Sequence, residues 1–272
     1  MIPIIIRNIL SQLVFFVGAV FLAGFIISLL NRVFYRLVGA GRVKVYLTGI
    51  IGTPIHELSH AAFCILFGHR ITDMSLFRID DRTGVLGYVN HAYNPRNPYH
   101  VLGNYFIGVA PLILGGGAIL LLMKHLIPAA YIEFDKYIDA FVMLSEEGIS
   151  ANWFAYCYGV MRGMLSVLIS LISTDAFYWI FILLALCISL HMTLSGADIK
   201  GSLGALPILL LILAGMNFGI GLSSVENYIS FLATVNSLGA YLCSMLLVAI
   251  LMSSVLVIVG LLIHAIRRIL HL

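Results

Sequence analysis

The chain has 272 residues, 61% of them hydrophobic and 10% charged, with a formal net charge of +3. Soluble domains carry about 25% charged residues, so this composition, with a mean hydropathy of +1.07, excludes a soluble globular protein. The small and scattered positive charge excludes a nucleic-acid partner and implies no acidic substrate; the basic residues read as anchors at the membrane faces.

Apolar runs of about 20 residues, rather than ten-residue alternation, predict helices and not a barrel. The first covers residues 9–30, free of charge, and closes on Asn31 and Arg32, with Arg36, Arg42 and Lys44 following. Without a small-residue cleavage pattern it predicts a retained anchor over residues 1–45. The second run, residues 46–68, differs in kind. It carries Thr53-Pro54-Ile55-His56-Glu57-Leu58-Ser59-His60, two imidazoles and a carboxylate inside an apolar helix, with Pro54 placed to kink or break it and admit water. Four helical residues turn through about 400°, so His56 and His60 share one face within roughly 40° and can grip one metal ion. Glu57 lies about 60° around from His60, in reach of a water beside that metal and not of the metal itself, the placement of a general base. Ionisable groups within a membrane segment are costly enough to be read as functional.

Residues 69–100 change character. Arg82-Thr83-Gly84-Val85-Leu86-Gly87-Tyr88-Val89-Asn90-His91 reads as short extended runs punctuated by glycine and predicts a small hairpin, which Asn94-Pro95-Arg96-Asn97-Pro98 ends in a turn. A third span, residues 101–123, holds Asn104, placed to face the site, together with Pro111 and Gly115-Gly116-Gly117, small residues that permit close helix approach. Glu133, Asp135, Asp139, Glu146 and Glu147 predict an acidic loop, and residues 153–172, interrupted by Gly159, Arg162 and Gly163, an interfacial or re-entrant helix. Spans at 176–195, 203–222 and 235–264 complete the count. Cys64, Cys157, Cys187 and Cys243 show no C-x-x-C spacing and read as packing residues. His69, His91, His100, His125, His264 and His271 lie in loops or near helix ends and read as solvated or interfacial.

The fold class is therefore an all-α polytopic membrane protein with about six transmembrane helices and a small β-hairpin or re-entrant insertion after the H-E-x-x-H helix. It forms one membrane domain, residues 1–272, with a core over 46–201 and C-terminal helices over 202–272. The basic residues divide almost evenly between the two sides, and both termini are placed in the cytoplasm. A catalytic Zn²⁺ takes three protein ligands and leaves one position open, so His56 and His60 need a third. His191 and Asp198 are the candidates; seven helical residues hold them on one face but roughly 10 Å apart, so they compete unless Gly196 breaks the helix. Asp198 is preferred, because a lone carboxylate at a span's end needs a partner and leaves the metal one net positive charge. His191 is the alternative ligand, or otherwise a supporting group.

The intramembrane His56-Glu57-Leu58-Ser59-His60, the Gly-bearing insertion, Gly108-Val109-Ala110-Pro111 and the later Asp198 resemble the site-2 protease family of membrane-embedded zinc metalloproteases, over residues 46–201. The resemblance implies His56, His60 and Asp198 as zinc ligands, Glu57 as the base, and Gly84, Val85, Leu86, Gly87, Tyr88, Val89 and Asn90 as a strand that binds an unwound substrate segment, with Asn104 nearby. It implies a membrane protein or peptide as substrate, hydrolysed by zinc-activated water, and the plasma membrane of a prokaryote as the location. The family's Leu-Asp-Gly is here Ala197-Asp198-Ile199-Lys200-Gly201, which marks a divergent branch. The rival reading is a membrane protein that binds metal or a client without turnover.

Overall fold

The computed structural model describes residues 2–39, 42–79, 84–147, 152–172 and 175–270. It is mostly helical. Helices α1 (Ile2–Leu13) and α2 (Ala19–Val38) join through a π-helical turn, Val14–Gly18; α3 (Arg42–Leu66) leads into strands β1 (Arg70–Ser75) and β2 (Tyr88–Ala92); then follow α4 (Pro98–Leu126), α5 (Pro128–Glu147), α6 (Asn152–Ser170), α7 (Ala176–His191), α8 (Gly196–Ser223) and α9 (Val225–Ile269). Among the described residues four helical stretches are long and apolar enough to cross a membrane: Ile2–Val38, Pro98–Leu126, Gly196–Ser223 and Val225–Ile269. Phe154–Ser170 and Ala176–His191 are apolar but shorter. These are the dimensions of a membrane protein, since about 20 residues of helix cross the hydrocarbon layer.

Polar caps cut the apolar runs into separate helices. Asn97 accepts the Tyr99 N–H ahead of Pro98, which needs no donor partner in the first turn. Asp175 accepts from the Phe177 N–H and starts α7, and Ser224 accepts from the Asn227 N–H and starts α9. Pro54 lies inside α3, which runs on past it to Leu66, so of the kink or break expected there the helix shows no break. Within the π turn the Phe16 carbonyl accepts from the Tyr105 hydroxyl of α4.

Helix α4 forms the centre. It packs on α3, α7, α8 and α9, and 56% of its apolar window is buried, against 17% for α8, so α8 turns most of its surface outward. The core runs from Ile27 and Val109 through Met123 to Phe134, Met164 and Phe181, while Phe25, Leu211 and Leu222 point out, as a chain surrounded by lipid requires.

Two expectations need correction. The acidic stretch from Glu133 onward is no loop but α5, which packs with α6 against α9; Ala130, Phe134 and Ile138 recur every four residues and give it a buried face that outweighs its charges. The hairpin is not folded within residues 82–91. Strand β2 pairs antiparallel with β1, Ile71 opposite His91 and Met74 opposite Val89, with an irregularity at Thr72; residues Arg70–Ser75 supply the earlier strand. Arg82 and Thr83 of the expected hairpin lie outside the described residues.

Candidate metal centre

Helical spacing brings His56 and His60 together on α3, ring centroids 4.9 Å apart. The backbone then fixes their tautomers. His56 Nδ1 donates to the His191 carbonyl at 2.6 Å and His60 Nδ1 to the Ile107 carbonyl at 2.7 Å. A carbonyl can only accept, and a neutral imidazole has one N–H, so both Nε2 atoms keep bare lone pairs. Those two lone pairs face each other at 3.1 Å. With both rings neutral no hydrogen joins them, and such a pair is repulsive unless a cation, a proton or a metal ion, lies between. Two nitrogens on a tetrahedral Zn²⁺ at about 2.0–2.1 Å would lie roughly 3.3 Å apart, so the pair fits the ion, and a backbone acceptor on the far nitrogen is how ligating histidines are held.

Asp198 comes from α8. Ser195 caps that helix, its hydroxyl oxygen accepting the Asp198 N–H at 3.1 Å, while Asp198 Oδ2 accepts the Ser195 N–H at 2.7 Å. This reciprocal box leaves Oδ1 free, 3.7 Å from His60 Nε2. His56, His60 and Asp198 each offer an atom within 4.8 Å of the others. His191 takes another part. Helix α7 stops at His191 and α8 begins at Gly196, so the two candidates do not share one helix; the His191 ring lies between the Thr48 and Thr53 hydroxyls, each 3.3 Å away, and its carbonyl orients His56.

Glu57 is buried, 7% exposed, and faces a cavity of about 330 Å³ that His56, His60, Asn104 and Asp198 also line. Of the expected strand, Gly87, Tyr88 and Val89 line this cavity; Gly84, Val85, Leu86 and Asn90 do not. Gly87 passes so close to α3 that a Cβ there would lie 2.7 Å from Glu57 Cγ and 2.8 Å from Thr53 Cγ2. Gly84 has φ +69°, and the Leu86 carbonyl accepts from the Arg78 N–H at 2.7 Å. Tyr88 donates to Asp73 at 2.7 Å, and Asn90 stands opposite Asp73 in the ladder. At the rim, the His91 imidazole has its pKa shifted downward, first by burial and then by His69 and His60.

Sequence reasoning missed the parts that hold the candidate ligands: the Ile107 and His191 carbonyls and the Ser195 cap; it singled out Gly108 within Gly108-Val109-Ala110-Pro111 but not its contact with Asp198. A Cβ on Gly108 would run into the Asp198 carbonyl and the Ser202 hydroxyl, so glycine lets α4 lie directly against the turn that carries Asp198. Only the cap left a signal, a Ser-x-x-Asp box before an apolar run. Comparison with protein-family models, with curated proteins and with solved structures finds no match.

Proposed function

We propose that this chain is a zinc-dependent intramembrane protease of the site-2 type, crossing the membrane six times through the α1–α2 run, α3, α4, α7, α8 and α9. The observation that carries the proposal is the pair of bare Nε2 lone pairs 3.1 Å apart, beside a carboxylate oxygen and a buried glutamate on one cavity. His56, His60 and Asp198 would hold the ion. Zinc in such a site polarises a carbonyl and makes water a nucleophile near neutral pH. Glu57, one residue from His56 and not itself part of the ligand cluster, takes the proton of the attacking water on a carboxylate oxygen and returns it to the leaving amine nitrogen.

The substrate is a membrane-embedded segment that has lost its helix locally, because helical carbonyls are shielded and already hydrogen-bonded. The two-stranded sheet supports that choice. Among the described residues β2 pairs on one edge only, and its residues Tyr88 and Val89 reach the cavity, so an extended substrate can add there as a strand and satisfy its backbone. Asn104 of α4 also lines this cavity and offers the substrate a polar group.

The test uses purified protein in detergent with a panel of membrane-spanning peptides carrying a central Asn-Pro or Gly-Gly break. Wild type is expected to cut near the break. Glu57→Gln is expected to keep its zinc and lose turnover by roughly 10²–10⁴-fold, the usual contribution of a general base. Cleavage that persists in Glu57→Gln, or zinc that survives His56→Ala together with His60→Ala at that centre, would overturn the reading. A wild type that binds zinc and cuts none of the peptides would favour the client-binding alternative.

A further inference from the structure

The same face of α3 carries a third soft donor. Cys64 follows His60 by four residues, as His60 follows His56, which sets it about 6 Å farther along the helix. It is fully buried. Gly68, at φ +69°, turns the chain back so that the His69 N–H reaches the Cys64 carbonyl at 2.8 Å, which brings a His69 ring nitrogen within 4.8 Å of the thiol sulfur. His69 Nε2 donates to the His100 carbonyl at 2.8 Å, so His69 Nδ1 keeps its lone pair by the same logic that applies to His56. That atom lies 3.0 Å from His91 Nδ1, and strand pairing brings His91 there. Cys64, His69 and His91 each offer a ligand atom within 4.8 Å of the others.

We propose that Cys64, His69 and His91 form a second metal site, for Zn²⁺, that pins β2 to the end of α3. One thiolate and two imidazoles are a donor set for zinc rather than for magnesium or calcium. Tyr93 stacks on His69, rings 4.9 Å apart and 11° from parallel, and holds it in place. The neighbouring His100 is not a ligand in this arrangement: its Nδ1 accepts the Asn94 N–H at 3.2 Å, so its proton is on Nε2. The ion binds as Cys64 gives up its thiol proton to solvent. The site fixes the strand from which His91 itself, Val89 and Tyr88 line the catalytic cavity. It stands independently of the protease reading. The competing account is a plain hydrogen bond from His91 Nδ1–H to His69 with Cys64 as packing.

Sulfur separates the two centres, because only this one contains a cysteine. The full chain in detergent, stripped and reloaded with Co²⁺, is expected to show a thiolate-to-cobalt charge-transfer band that survives His56→Ala/His60→Ala and vanishes in Cys64→Ser. Elemental analysis of the His56→Ala/His60→Ala protein is expected to find about one zinc per chain, and none after His91→Ala is added. His91 is half-buried on β2 and belongs to no helix, so that variant leaves the helix packing intact if Cys64→Ser fails to fold. A folded His56→Ala/His60→Ala protein with no zinc and no band would overturn the proposal. Metal confined to the cysteine centre, unchanged by His56→Ala in otherwise wild-type protein, would support it while removing the catalytic one.

Discussion

Ser195 shows how much a candidate ligand depends on residues that never touch the ion. Its hydroxyl and amide take the Asp198 N–H and Oδ2, so the carboxylate is pinned with Oδ1 toward His60. Ser195→Ala keeps the backbone half of the box and removes the side-chain half. We expect about 1 kcal/mol less stability, the usual worth of an N-cap, and zinc affinity lower by about 10–100-fold, the usual cost of losing a group that orients a ligand; chelator competition on the purified protein measures it. An unchanged affinity would show that Asp198 is not held by the cap or does not ligate. This scale also shows what a sequence hides. The pairing of His56 with His60 was readable because helix geometry fixes neighbours four apart. Their carbonyl partners are 135 and 47 residues away in the chain, and a backbone oxygen has no residue type to read.

Helices are held at the right separation by particular glycines, and the run on α4 separates them cleanly. A Cβ at Gly108 meets Asp198 and Ser202, whereas one at Gly117 meets nothing within 4 Å. Gly108→Ala must push α8 away from α4. We expect a loss of about 1–3 kcal/mol from overpacking together with loss of zinc, since the shift moves Asp198. Gly117→Ala is expected to be silent toward zinc and to stabilise by up to about 1 kcal/mol through helix propensity. Thermal unfolding and metal content of the two variants decide the matter; equal behaviour would mean that the α4–α8 contact does not position the carboxylate. Gly87→Ala tests the strand in the same way. With Glu57 and Thr53 in its path, we expect the 84–87 segment to lift from α3 and turnover to fall while zinc is kept. The long apolar spans were legible because hydropathy needs no knowledge of neighbours. The acidic α5 and the true partner of β2 were not, since both are decided by what they pack against: α9 in one case and the distant β1 in the other.

Across the whole molecule, helices α1, α8 and α9 are tied together away from the candidate metal centre. Gln12 of α1 and Asn217 of α8 exchange amide hydrogen bonds of 3.2 and 2.7 Å, and the Tyr228 hydroxyl of α9 donates to Asn217 Oδ1 at 3.1 Å while accepting from Asn8 Nδ2 at 3.1 Å. Asn217 is fully buried and Gln12 nearly so. In an apolar surround such groups have few alternative partners, so the network selects how α1, α8 and α9 meet, with each interhelical bond contributing about 0.6 kcal/mol on average. Asn217→Leu leaves Gln12 buried with its partner gone, which costs about 1–3 kcal/mol, whereas Gln12→Leu together with Asn217→Leu removes both halves and should recover part of that loss. We expect both variants to retain zinc at wild-type content, because none of these residues lines the cavity. Thermal unfolding in detergent with metal analysis on the same samples measures both quantities. If zinc falls with stability in Asn217→Leu, the α1–α8–α9 junction and the candidate metal centre unfold as one cooperative unit.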